Sequence, residues 1–205
     1  EVVLRGIGVK ADLRVGGSGT MDFGQVRVGE TSDTTIVVTN TGNAPVVLTA
    51  ASVDDDTFEV VSFELVEVQP LASAFVRLRY SPVQAQSNAT TLVILTTEPS
   101  QPRFELPVLG IGTSPAIEVL PDELMFGNVN LGQATRLLLS VANNGNADLS
   151  VTALEIDGDA FRLERSVSEA QPIVVAPGGA QLLDVVFLPL ISGAHRGTLT
   201  VVSDA

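Results

Sequence analysis

Cysteine and tryptophan are absent from this 205-residue chain, which holds one lysine (Lys10), one histidine (His195) and one tyrosine (Tyr80). Without cysteine there is no disulfide, no thiolate metal site and no cysteine nucleophile. Aromatic residues are 4% and charged residues 17%, the latter below the ~25% of an average soluble protein. No apolar run reaches the ~18 residues that read as a membrane-spanning helix, so membrane insertion by this segment is not expected. No signal peptide is visible. The chain starts inside strand-like residues, so any signal would lie upstream. Positive charge is scarce, and the net charge is −13. Nucleic acid and anionic membrane surfaces are therefore poor partners, because both are held by basic surfaces.

What is present is aliphatic. Hydrophobic residues are 45% of the chain, and the glycines and prolines, 18 and 11, are spread along it. That is the profile of many short strands joined by turns. At ~100–150 residues per domain, the length suggests one or two domains.

Internal self-similarity supports two. Met21-Asp-Phe-Gly-Gln-Val-Arg-Val-Gly29 returns as Leu124-Met-Phe-Gly-Asn-Val-Asn-Leu-Gly132, and Asn40-Thr-Gly-Asn-Ala44 as Asn143-Asn-Gly-Asn-Ala147. Asp54-Asp-Asp-Thr-Phe58 returns as Asp157-Gly-Asp-Ala-Phe161. At this offset of 103, 14 of the 40 positions in 21–60 are identical. Later the offset is 107, since Tyr80-Ser-Pro82 matches Phe187-Leu-Pro189. The four extra residues are expected near Glu169–Pro172, in a connection. Leu4-Arg-Gly-Ile-Gly8 nearly repeats Val108-Leu-Gly-Ile-Gly112. The expected organisation is residues 1–9 as the last strand of a preceding repeat, 10–113 as one domain, and 114–205 as a second lacking its last strand. The chain then reads as a window on a longer array, with short linkers near Gly112–Pro115 limiting bending.

Alternation predicts the strands and their inward faces. Ile36 and Val38 pair off with Leu137, Leu139 and Val141. Val76, Leu78 and Tyr80 match Leu183, Val185 and Phe187. Leu92 and Ile94 match Leu199 and Val201. Asn40–Asn43 and Asn143–Asn146 are expected to supply the positive-φ residues of tight turns, and Pro177-Gly-Gly179 marks another turn. No helical stripe appears. The fold class is all-β: tandem immunoglobulin-like β-sandwiches, anchored on Phe23, Phe58, Tyr80 and on Phe126, Phe161, Phe187.

The order Phe-Gly-x-Val-x-x-Gly, strand, Asn-x-Gly-x-Ala, Phe before a strand, aromatic with Pro two residues on, and closing Leu-Gly-x-Gly resembles the Hydin/ASH family of Ig-like repeats. It is similar to the bacterial "choice-of-anchor D" repeats, with a fold like major sperm protein and pilus chaperones. One departure is Val83-Gln-Ala-Gln-Ser-Asn88, where a Gly-containing turn is usual; Leu190-Ile-Ser-Gly193 keeps it. The resemblance implies architecture and no catalytic set. Bacterial members are long exported proteins; eukaryotic members are scaffolds of cilia and centrosomes.

No enzyme is therefore expected. His195 lacks a nucleophile elbow beside it and reads as an exposed turn residue. Asp54, Asp56, Asp157 and Asp159 are the metal candidates, because paired carboxylates are part of a Ca²⁺ set of six to eight oxygens. Their other reading is a solvated turn. Gly6-Ile-Gly8 and Gly110-Ile-Gly112 are not followed by a helix, so they read as crossovers between domains and not as phosphate loops. Asn88-Ala-Thr90 fits a glycosylation sequon. No cofactor is expected. Partners are expected to be proteins, or copies of the chain, meeting through strand edges. Head-to-tail strand complementation by residues 2–8 is the alternative to simple truncation of the second repeat. The leading function is a structural or adhesive spacer of an exported bacterial protein, at the cell surface or in the periplasm. The alternatives are a cytoplasmic or ciliary scaffold, or a carbohydrate- or Ca²⁺-binding accessory module.

Overall fold

Every alternating segment named above becomes a β-strand in the computed structural model, which describes residues 2–16 and 19–205. Among them there is no helix. The strands are β1 (Leu13–Val15), β2 (Met21–Arg27), β3 (Ser32–Asn40), β4 (Val46–Ser52), β5 (Phe58–Phe63), β6 (Glu67–Val68), β7 (Ser73–Tyr80), β8 (Ser87–Thr96) and β9 (Arg103–Thr113). They continue as β10 (Ile117–Leu120), β11 (Thr135–Asn143), β12 (Leu149–Ile156), β13 (Phe161–Leu163), β14 (Ile173–Val175), β15 (Ala180–Phe187) and β16 (Leu199–Ser203). Two compact units result, Glu1–Thr113 and Ser114–Ala205.

In the first unit a four-stranded sheet, β1-β3-β7-β5, faces a five-stranded one, β2-β9-β8-β4-β6. Period-two alternation puts Ile36, Val38, Val76, Leu78, Leu92 and Ile94 into one core, as side chains on one face of a pleated strand must point the same way. Phe58 stacks on Tyr80 with ring centroids 4.7 Å apart, and Phe23 closes the group at 5.6 Å from Tyr80.

The second unit repeats most of this. Sheet β10-β11-β15-β13 corresponds to the first four-stranded sheet, and Leu139, Val141, Leu183 and Val185 fill its core. Phe126, Phe161 and Phe187 form the same triangle, with Phe161 and Phe187 4.9 Å apart. The four extra residues fall in the connection between β13 and β14, where Ser168 and Gln171 form an isolated bridge. The opposite sheet has three strands, β14-β12-β16. No strand among the described residues stands where β2 and β9 stand in the first unit.

Two glycine readings change. Gly42 and Gly145 do not take positive φ. They are needed for space: a Cβ on Gly42 would lie 2.6 Å from the Ala11 Cα, and one on Gly145 2.6 Å from the Ala116 nitrogen. Gly110-Ile-Gly112 is not a crossover but part of β9. A Cβ on Gly110 would lie 2.6 Å from the Tyr80 ring, and one on Gly112 would collide with the Gln84 carbonyl. Residues 2–9 form no strand. Glu1, Gly17 and Ser18 lie outside the described residues.

Candidate functional site

Asn40 and Asn143 each end a strand, and both are fully buried. Asn40 Oδ1 accepts from the backbone nitrogens of Asp12 (3.3 Å) and Gly42 (3.0 Å), while its Nδ2 donates to the carbonyls of Ala44 (2.7 Å) and Val68 (3.0 Å). Asn143 does the same with Ala116, Gly145, Ala147 and Val175. Every hydrogen-bonding position of a buried amide is used, as burial requires. The turn signal in Asn-x-Gly-Asn thus hides a buried hub joining three segments.

The candidate metal ligands are not assembled. Asp54, Asp56, Asp157 and Asp159 are exposed on the β4–β5 and β12–β13 turns. Asp55 instead organises its turn, its Oδ1 accepting from the Thr57 nitrogen (2.8 Å) and hydroxyl (2.6 Å). Among the described residues, no three His, Cys, Asp or Glu side chains converge to hold a metal ion. Asn88 of the sequon accepts a hydrogen bond from the Tyr80 hydroxyl at 2.9 Å. Burial pushes the Tyr80 phenol up from its ordinary value.

His195 is not simply exposed. It is half-buried, its ring sits edge-on to Phe187 at 5.5 Å, and its Nε2 lies 3.0 Å from the Ile191 carbonyl oxygen. Its neighbours mark the feature the sequence pointed to least clearly. Around Phe126, Phe161 and His195 the second sandwich opens into a cleft of about 890 Å³, continuous in lining with another of about 600 Å³ that reaches Phe187 and Pro189.

The origin of the cleft is visible in the first sandwich. There β9 runs parallel to β2 (Met21↔Val108 to Arg27↔Thr113) and antiparallel to β8 (Ser87↔Ile111 to Leu95↔Arg103). Leu106 and Val108 of β9 are buried in the core. In the second sandwich none of the described residues occupies that place. The edge of β16 is unpaired on that side, and Leu199 and Val201 are only partly buried. Leu124, Phe126, Leu139 and Val185 line the opening.

The wall opposite β16 is nonetheless set. The backbone bends at Gly127 (φ 65°) as it does at Gly24 (φ 67°). Gly132 donates to the Pro189 carbonyl at 2.9 Å, matching Gly29 and Pro82 at 3.4 Å. Phe126 holds its place in the ring triangle, 5.5 Å from Phe187. The result is an apolar cleft between β16 and residues 124–126.

The charged clusters lie elsewhere, on outer faces. Asp33 receives Arg77 (2.7 Å) and Arg79 (2.8 Å), and the Arg79 hydrogen bond is the first cause holding its carboxyl low. Asp12 is held low by Arg14 and Thr41. Glu98 is held low by the backbone nitrogen of Ala11, which donates to it at 2.9 Å, and by Ser100.

Comparison with known proteins agrees with the architecture. The family described as "Abnormal spindle-like microcephaly-assoc'd, ASPM-SPD-2-Hydin" (ASH) matches residues 15–104 and 119–205. Cilia- and flagella-associated protein 74 of Chlamydomonas reinhardtii is 30% identical over 158 residues, 74% of this chain. The chain spans only 8% of that protein's length. The PapD-like domain 7 of human CEP192 aligns with 55% of this chain and 94% of its own, at 13% identity and a TM-score of 0.40. The secreted serine protease VesC of Vibrio cholerae aligns with 95% of this chain and 51% of its own, at 15% identity and a TM-score of 0.42. At these scores neither structural likeness extends to function.

Proposed function

The chain belongs to the ASH family, and from that premise we propose that it is a non-catalytic protein-interaction module that meets its partners through strand edges. One observation carries this reading: both sheets of the first sandwich are open, with β5 and β6 each at a sheet edge, and an edge strand is a template for pairing with another chain. Main-chain pairing at such an edge supplies affinity, and pockets for alternate side chains supply specificity. The one histidine is engaged with Phe187 and the Ile191 carbonyl, which argues against a general-base role.

Amide hydrogen exchange of the chain with and without a captured protein partner tests the reading: protection should concentrate in the edge strands Phe58–Phe63 or Glu67–Val68, and a complex that leaves both unprotected would remove the proposal.

We place the module in a longer, repetitive, exported protein that makes protein contacts at the cell surface or in the periplasm. A second setting, an intracellular ciliary scaffold, is favoured by the 30% identity to the Chlamydomonas protein. The full-length open reading frame separates the two: an export signal and surface anchor support the first, an axonemal context the second. A calcium- or sugar-binding accessory role predicts heat on calorimetric titration with Ca²⁺ or oligosaccharide; a silent titration removes it.

A further inference from the structure

Each sandwich has one sheet of the same design, β1-β3-β7-β5 in the first and β10-β11-β15-β13 in the second. Their inward faces fill the two cores, and their outward faces lie in solvent. The registers correspond: Ser32↔Tyr80 answers Thr135↔Phe187, and Leu13↔Asn40 answers Ile117↔Asn143. The outward faces can therefore be compared residue by residue. Near the centre of each stands a large apolar side chain at an equivalent position, Phe75 at 55% exposure and Leu182 at 56%. Phe75 lies directly across from Val37, and Leu182 lies diagonal to Leu138; these two are exposed as well. Core packing explains none of the four, since their side chains point away from it.

Around these apolar centres, every position charged in both sandwiches has changed sign. Asp33 corresponds to Arg136, and Arg77 to Asp184. Glu59 corresponds to Arg162, and Arg14 to Glu118. All eight occupy exposed positions. The β4–β5 and β12–β13 turns behave differently, keeping sign as Asp54 and Asp56 return as Asp157 and Asp159. Solubility asks for charge on a surface and not for a particular sign at each position, so it gives no reason for the reversal.

With one face laid on the other, β15 over β7 and the strands running the same way, the reversal becomes a match. Aligned sheets pack in this manner about 10 Å apart. Along the central strands Leu182 meets Phe75 and Asp184 meets Arg77. The flanking strands exchange sides, because one face is turned over to meet the other. Arg162 of β13 therefore comes over Asp33 of β3, and Arg136 of β11 over Glu59 of β5. Arg14 and Glu118 lie one strand beyond the overlap. The same overlay of two first faces would put Arg77 on Arg77 and Asp33 on Glu59. Two second faces would put Asp184 on Asp184 and Arg136 on Arg162. Opposed like charges are penalised, so charge selects the unlike pair of faces. Asp33 already holds Arg77 and Arg79, and Glu164 holds Arg136, which orders these side chains before they meet a partner.

We infer that this chain self-associates face to face, the outward β1-β3-β7-β5 face of one copy docking on the outward β10-β11-β15-β13 face of a second. The two surfaces differ, so the contact is heterologous. Three overlapping strands about 4.8 Å apart and roughly 25 Å long project about 350 Å² on each partner, the scale of a weak, reversible contact. The contact uses a sheet face and not a strand edge, so it stands or falls apart from the reading above.

Sedimentation velocity of the 205-residue chain over roughly 10–500 μM, a range suited to a small interface, tests it at low and high salt. Wild type should associate with rising concentration, and salt should weaken the association. Copies that each carry a net charge of −13 repel one another, so a contact without opposed charges would be strengthened by salt instead. Arg77→Asp and Asp184→Arg should each weaken association about fivefold or more, an opposed pair having become a like pair. The double variant Arg77→Asp/Asp184→Arg keeps both the net charge and the pairing, and should return association to within about twofold of wild type. Phe75→Thr should weaken association about tenfold and leave the urea midpoint of the first sandwich in place, because the ring stands outside the core. A wild type that stays monomeric leaves these faces to another protein and overturns the inference. Association that grows with salt, or a double variant no better than the single ones, overturns it as well.

Discussion

The two sandwiches share a core, a ring triangle and a buried asparagine hub, yet one sheet has five strands in the first and three in the second. In the first, β8 is central, and Leu92 and Ile94 are fully buried. In the second, β16 is an edge, and Leu199 and Val201 are partly open. The first also has Glu98 and Gln101 reaching from the β8–β9 turn to the backbone nitrogens of Ala11 and Leu13, at 2.9 and 3.0 Å. A strand with two neighbours thus buries its inward side chains more fully than an edge strand does. What the second sandwich keeps is the part fixed by local geometry and by β11–β15, namely the glycine bends, the aromatic triangle and the Asn143 hub.

The chain is well suited to testing this contrast, since its one tyrosine reports on the first sandwich and its one histidine on the second. The largest effect should come from Leu92→Ala, at about 2–5 kcal/mol for a fully buried leucine. Its counterpart Leu199→Ala should cost about 1 kcal/mol, because part of the side chain is already in water. Tyr80 fluorescence and the His195 ring resonances during urea unfolding check the pair. Equal losses would mean the open cleft does not loosen the second core.

Asn40→Ala and Asn143→Ala probe what is shared. Each strands buried backbone groups, at about 1–3 kcal/mol, and the two should agree. A large difference in denaturation midpoints would show that one hub leans on something beyond its four bonds. Gly110→Val should destabilise the first sandwich by about 1–3 kcal/mol through overpacking against Tyr80, while Gly6→Val should leave both unfolding transitions in place.

A smaller effect concerns Leu71. Ala72 donates to the Gln69 carbonyl at 3.0 Å with Pro70 and Leu71 between, and Leu71 has φ 65°. Gly178 takes the same place in the second sandwich, φ 72°, after Pro177. This is the type II turn position that favours glycine. Leu71→Gly should raise the first transition by about 0.5–1 kcal/mol, the left-handed penalty being partly offset by glycine's extra freedom when unfolded. The smallest effect is on acid stability. Asp12, Asp33 and Glu98 are held below their ordinary values. Their contribution is present above the unfolded carboxylate range and is lost as pH falls through the depressed folded values. Acid titration of Tyr80 fluorescence should show this loss, reduced in Glu98→Gln.

Strand identity and inward faces were legible because alternation has one physical cause, the pleat, and both copies kept its phase. The ring anchors were legible for the same reason. The asparagines were not, since a buried hub and a solvated turn share the letters Asn-x-Gly-Asn; only the third partner, at Val68 or Val175, distinguishes them. The glycines of β9 misled because the close approach to Tyr80 joins residues far apart in sequence. The cleft was not legible, because it gathers Phe126, Phe161 and His195 from positions far apart in the sequence.

The parallel pairing of β2 with β9 has a mechanical meaning. A pull on the two ends of the first sandwich draws β2 toward its start and β9 toward its end, so their hydrogen bonds are loaded side by side in shear and must yield together. The antiparallel pairs of the same sheet, β8 with β9 and β4 with β8, do not join the first and last strands of that sheet in chain order, so the β2–β9 pair is the clamp that a pull meets first.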